Sequence, residues 1–294
     1  MNTRFASIIM LLCVGLLWGL NWPALKFMMA ELPVFTIRAI AFPCAALVLV
    51  IIALLQGHSL FVVRGQRIPL ILTSIFLILG FNMLTSLGQS LTEASTAAII
   101  AYTMPAITAA LSAIYLREHL DQRILTAIAL GMCGLAVLAY QDFVSLVSSP
   151  TGLIVMLLAA ISWAIGNVMV KATDWTLHPA AFAAWLFTIA TMISWPIVLF
   201  LEPIDQLRIP SASVIATMVF HVLGPMVTGY LLWSTLLSRL PATVAALSIL
   251  TAPVVGVVSA VFFLGDSLTA PKIVSLSLII MSIIITLKKT AKQE

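Results

Sequence analysis

Apolar residues run through this chain in blocks of about twenty, and polar ones gather at the joints between blocks. Residues 7–29, 34–55, 68–90, 94–116, 121–140, 151–171, 179–201, 212–237, 242–264 and 270–287 each form one block. About 20 apolar residues cross the hydrocarbon core as a helix. Lipid offers the backbone no hydrogen-bond partners, so each block is predicted to be helical throughout. The alternating short segments of a membrane β-barrel are absent. Pro33, Pro69, Pro150, Pro179, Pro203, Pro210, Pro241 and Pro271 stand at or beside the joints, where a missing N–H costs least. Arg38 and Pro43 interrupt the second block, and the tenth is short, so these are the least regular of the set. The first block is too long for a signal-peptide core and no small-residue cleavage site closes it, so it reads as a retained helix. The expected fold is an all-α integral membrane protein of ten transmembrane helices.

Composition agrees. Hydrophobic residues make up 62% of the chain and charged ones 8%, and the mean hydropathy is +1.19. Soluble domains carry about 25% charged residues, so this chain lacks the charge to cover a water-facing surface. The lysines and arginines also orient it. With the N-terminus inside, Arg4, Arg64, Arg67, Arg117, Arg123, Lys171, Arg239, Lys288, Lys289 and Lys292 collect on the cytoplasmic side; Lys26, Arg38, Arg208 and Lys272 collect opposite. Both termini are therefore expected in the cytoplasm of a bacterial-type inner membrane. The net charge of +4 then reflects topology and anionic lipid rather than nucleic acid. Cys13, Cys44 and Cys133 all fall within blocks, which points to neither a disulfide framework nor a zinc site. No metal or cofactor is implied.

The chain repeats itself. WGLNWPALK at 18–26 and WAIGNVMVK at 163–171 share Trp and Lys at one internal spacing, and Gly15 and Gly19 meet Ala160 and Ala164 at the same offset. Residues 94–120 then line up with 242–268, pairing Thr103 with Thr251, Pro105 with Pro253 and Glu118 with Asp266. The repeats are read as 1–145 and 146–294. Five helices per repeat is an odd number, so the two halves enter the bilayer in opposite directions. Inverted repeats mark secondary transporters, whose site lies between the halves near the midplane.

The W-G-x-N run with its lysine, its copy at 163–171, and the Pro105 and Pro253 helices ending in LREHL and LGDSL resemble the drug/metabolite transporter (DMT) superfamily. The similarity is to its EamA-type ten-helix exporters, and among them most to the YddG-type aromatic amino acid exporters, on size, span number and tryptophan content. The resemblance implies export of small metabolites, amino acids including aromatic ones, by a chain that functions as a monomer in the bilayer. The direction of transport rests on it alone. Asn167 is one place off Asn21 and no proline follows it, so the equivalence of the halves stays open at that point. Other drugs or metabolites, such as nucleosides and lipophilic cations, are the alternative cargo, and a non-transporting scaffold or sensor is the remaining reading.

Candidate pathway residues follow from helical faces. Trp18, Asn21 and Trp22 share one face of the first helix, and Pro23 is expected to kink it by denying Gly19 a partner. A polar side chain beside a freed carbonyl is tolerated at membrane depth only against protein or a wet cavity. Asn82, Thr85, Ser86 and Gln89 form a polar stripe in the third helix that should avoid lipid. Tyr102, Trp163, Asn167, Trp185, His221 and Tyr230 complete the set, with further kinks at Pro105, Pro225 and Pro253. Each has a plainer alternative. Asparagines join helices, tryptophans anchor at the interface, and a lone histidine packs in a core. Lys26 is expected to snorkel to the outer interface.

No acidic residue lies deep in a block, so the carboxylate relay of a proton pump is not visible. Walker, HExxH and G-x-S-x-G motifs are absent, which speaks against an enzyme or an ATP-driven pump.

Overall fold

The structure is a computed structural model that describes residues 3–92, 94–141, 150–202, 209–255, 258 and 269–290. Its helices are α1 Thr3–Met28, α2 Thr36–Leu55, α3 Arg64–Leu91, α4 in two pieces, Ala94–Ala101 and Met104–Tyr115, and α5 Gln122–Gln141. The second half supplies α6 Pro150–Ala172, α7 Pro179–Leu201, α8 Ala212–Arg239, α9 Ala242–Val255 and α10 Ala270–Thr290. Among the described residues nine helices are long and apolar enough to cross a membrane, and α9 is a shorter apolar one. Glu93, Asp266 and the part of the ninth predicted block beyond position 255, apart from position 258, lie outside the described residues.

The boundaries have local causes. Pro150, Pro179 and Pro271 take first or second helical positions, where proline's fixed φ fits and no donor is needed. Ser211 caps α8 by accepting from Val214 N–H, and His178 caps α7 by accepting from Ala180 N–H. α2 runs unbroken through Arg38 and Pro43, with no side-chain cap of its own at Phe35. Glu202, far along the chain, supplies that cap by accepting from Phe35 and Thr36 N–H. Glu118 does the same for α9, accepting from Ala242 and Thr243 N–H. A carboxylate at a helix N-terminus answers both its free donors and its partial positive charge.

Several local features occur in both halves of the chain. α2 packs along α7, and α5 along α10, the pairs that the expected sequence repeat would make equivalent. α4 breaks at Thr103 before Pro105, and α9 breaks at Leu250 before Pro253. In both breaks a threonine hydroxyl bonds back three residues, Thr103 to Ile100 O and Thr251 to Ser248 O. α3 widens into a π-helical turn at Ile75–Gly80, and α8 does so at Val222–Gly229, around Pro225. The crossing helix of the other half fills each turn. Ser162 of α6 donates to Phe76 O, and Trp18 of α1 donates to Pro225 O. The glycine ending each turn permits the approach, because a Cβ there would fall 2.5 Å from Ser162 Oγ or 2.6 Å from Trp18 Nε1. Lys26 reaches Gln89 O and Lys171 reaches Leu237 O, each closing the C-terminal end of a π-bearing helix.

Candidate functional site

The centre of the molecule, where α1, α3, α6 and α8 cross, is aromatic. Trp18 lies 5.3 Å from Tyr230 and 5.5 Å from Trp233, centroid to centroid. Trp163 lies 5.2 Å from Trp233 and 6.4 Å from Phe81. Phe187 of α7 meets Tyr230 edge-on at 5.1 Å and continues to Phe42 of α2. Tilted and edge-to-face contacts at these spacings are the preferred ones for ring quadrupoles. Asn167 knits the cluster, donating to Trp163 O at 2.7 Å and accepting from Trp233 Nε1 at 2.8 Å. Trp163 Nε1 is buried and has no partner. These tryptophans sit in the interior rather than in an interface belt, Trp163 and Trp233 with no exposure at all.

A chain of polar side chains borders this cluster. Asn21 of α1, His221 of α8, Arg38 of α2 and Ser86 of α3 follow one another at hydrogen-bond distance. Arg38 Nε donates to Ser86 Oγ at 2.8 Å, and Arg38 Nη1 lies 3.0 Å from His221 Nε2. His221 Nδ1 lies 2.6 Å from Asn21 Oδ1. The roles are fixed by the arginine, which can only donate. His221 Nε2 therefore accepts, its proton sits on Nδ1 and is donated to Asn21, and the ring is neutral. One turn inward along α3 from Ser86, Asn82 Nδ2 donates to Ile78 O and to the Tyr230 hydroxyl, which joins the polar chain to the aromatic cluster.

A second group lies nearer the end of α1. Trp22 Nε1 donates to the Tyr102 hydroxyl at 2.7 Å, and Gln89 Nε2 donates to Trp22 O. Gln89 Oε1 is buried without a partner. Lys26 is held here by the carbonyls of Gln89 and Thr92.

Of the residues singled out in sequence, Trp18, Asn21, Asn82, Ser86, Trp163, Asn167, His221 and Tyr230 meet at the centre. Gln89 and Tyr102 form the adjoining group, and Trp185 lies apart, donating to Leu60 O in the α2–α3 connection. Pro23 lies within the continuous α1, whereas Pro105 and Pro253 follow breaks and Pro225 lies in a π turn. Sequence reasoning missed Arg38. It counted as a topology-setting charge, yet it is 1% exposed and linked to three other helices through Ser86, His221 and Asn21. The available signal was an arginine inside a block otherwise free of charge.

The sequence profile of the EamA-like transporter family matches residues 5–140 and 150–288, and the chain belongs to that family. It is a multi-pass membrane protein of a family of transporters. An uncharacterised transporter of Bacillus subtilis strain 168, YvbV, is 27% identical over all of this chain and 94% of its own length. A probable amino-acid metabolite efflux pump of Salmonella typhimurium is 27% identical over 93% of this chain and 92% of its own. Its Escherichia coli K12 namesake is 26% identical over 89% and 88%. A crystal structure at 19% identity superposes with a TM-score of 0.80, covering 99% of both chains, which shows a shared fold.

Proposed function

We propose that the protein is a secondary transporter that exports small metabolites, amino acids including aromatic ones, across a bacterial inner membrane. The observation that carries this reading is the juxtaposition of the Asn21–His221–Arg38–Ser86 chain with the Trp18–Tyr230–Trp233–Trp163 cluster. One side of such a site hydrogen-bonds a polar head, and the other accepts a flat or apolar side chain by stacking and desolvation. Relatives named amino-acid metabolite efflux pumps support the cargo class. The mechanism is alternating access: the halves rock about this centre, the π turns and proline breaks taking up the change in backbone. Both termini face the cytoplasm, and a single chain suffices because both halves of the site come from it.

The test is counterflow in proteoliposomes with labelled tryptophan, phenylalanine, threonine, a nucleoside and a lipophilic cation. Saturable flux of tryptophan and phenylalanine is expected, with KM raised in Asn82→Ala, which unties Tyr230. Flux of the nucleoside or cation alone would move the cargo elsewhere, and no flux from a folded protein would overturn the transporter reading.

A further inference from the structure

Arg38 is a buried cation whose two bonds go to neutral partners. Ser86 Oγ takes Nε–H, and His221 Nε2 takes one hydrogen of Nη1; among the described residues no carboxylate is paired with it. Three guanidinium N–H groups are left over from the five. Arginine cannot shed its charge, and burying an ion without a counter-charge is strongly unfavourable. The surroundings hold the guanidinium in place without neutralising it. The His221 proton is committed to Asn21, so the histidine adds hydrogen bonding and no charge. The neighbouring Tyr230 hydroxyl is engaged with Asn82. On the same face of α3, three residues beyond Ser86, Gln89 is wholly buried and its Oε1 accepts nothing.

We infer that Arg38 is the anchor for a carboxylate on the transported solute, which supplies the missing counter-charge, and that Gln89 Oε1 offers an acceptor for the ammonium of an α-amino acid. The inference rests on the transporter reading of this site and makes it specific: the cargo is an organic acid or zwitterion, and a neutral or purely cationic analogue is rejected. A guanidinium fork matches a carboxylate bidentately, so recognition is geometric as well as electrostatic. Rejection follows because the analogue leaves the buried charge unpaired, which is the costlier half of such a pairing.

The experiment measures binding rather than flux, so that the two proposals fail separately. The full chain in nanodiscs is titrated with L-phenylalanine, 3-phenylpropionate and L-phenylalaninamide, following tryptophan fluorescence. Both acids are expected to bind at least about tenfold more tightly than the amide, the amide having lost the charged partner. Arg38→Met, which fills a similar volume without charge, should remove that preference. Equal binding of acid and amide, binding of neither acid, or an unchanged preference in a folded Arg38→Met would each overturn the anchor. Should Arg38→Met fail to fold, the acid-to-amide comparison in the unsubstituted protein decides alone. Acid-selective binding with no flux of any solute would leave the anchor standing and sink the transporter reading.

Discussion

At the scale of single residues, one polar contact at a helix end responds to pH. His178 stacks on His58 at 3.5 Å between centroids, and its Nδ1 accepts from Ala180 N–H to cap α7. Its pKa lies below the usual 6.5, first because burial disfavours the cation and second because His58 stands against it. The folded state thus binds this proton less well than the unfolded chain, so the contribution is present above the unfolded pKa and is lost as pH falls through that value and on to the folded pKa. Protonation at Nδ1 would also remove the cap. We expect the melting temperature to fall modestly between about pH 7.5 and about pH 5.5. His178→Asn keeps an N-cap acceptor without a titrating ring, so thermal melts of this variant should show a flatter profile over that range. An unchanged slope would assign the pH dependence to other groups.

At the scale of elements, the paired π turns are the device that lets helices of opposite halves cross closely. Gly229→Ala gives up glycine's entropic cost, worth about 1 kcal/mol in a helix interior. The new Cβ stands 2.6 Å from Trp18 Nε1, in the path of its bond to Pro225 O. Overpacking typically costs about 1–3 kcal/mol, so the clash should win and the variant should melt lower, with altered tryptophan emission. Gly65→Ala, where a Cβ meets nothing within 4 Å, should be neutral or slightly stabilising and serves as the control. The close contact of α1 with α9 has a similar origin: Gly15 and Gly19 face Thr251 and Ala252 with no room for a side chain.

At the scale of the whole molecule, contacts between the halves latch both ends of the bundle. At one end Glu31 accepts from Ser211 N–H and hydroxyl, which hold its carboxyl below the ordinary range, and Glu202 caps α2. At the other end Glu118 caps α9, and Gln66 Oε1 accepts from the Thr176 hydroxyl. At the exposed Glu31–Ser211 end, water competes for the same donors and acceptors, so these bonds can exchange with solvent. Opening the first end requires Glu31 and Ser211 to part. In a background with Cys13, Cys44 and Cys133 replaced by alanine, Glu31→Cys with Ser211→Cys should lose counterflow on addition of a short thiol cross-linker and regain it on reduction. Undiminished flux in the cross-linked protein would show that this end does not open.

The sequence alone determined the helices and their number. Lipid leaves the backbone no alternative to helix, and block length and proline placement are one-dimensional properties. It also pointed to most of the central side chains, because strongly polar groups such as Asn21, Asn82 and Asn167 at membrane depth are costly against lipid. Only the tertiary structure decided which of them meet. Arg38 illustrates why: near the start of α2 it reads as a charge at the membrane edge, yet α1, α3 and α8 close around it and make it interior. The Glu202 and Glu118 caps, the fillers of the π turns and the separation of Trp185 from the centre are likewise distances across the fold. A helical face tells a side chain which way to point, and the neighbouring helices determine what it finds there.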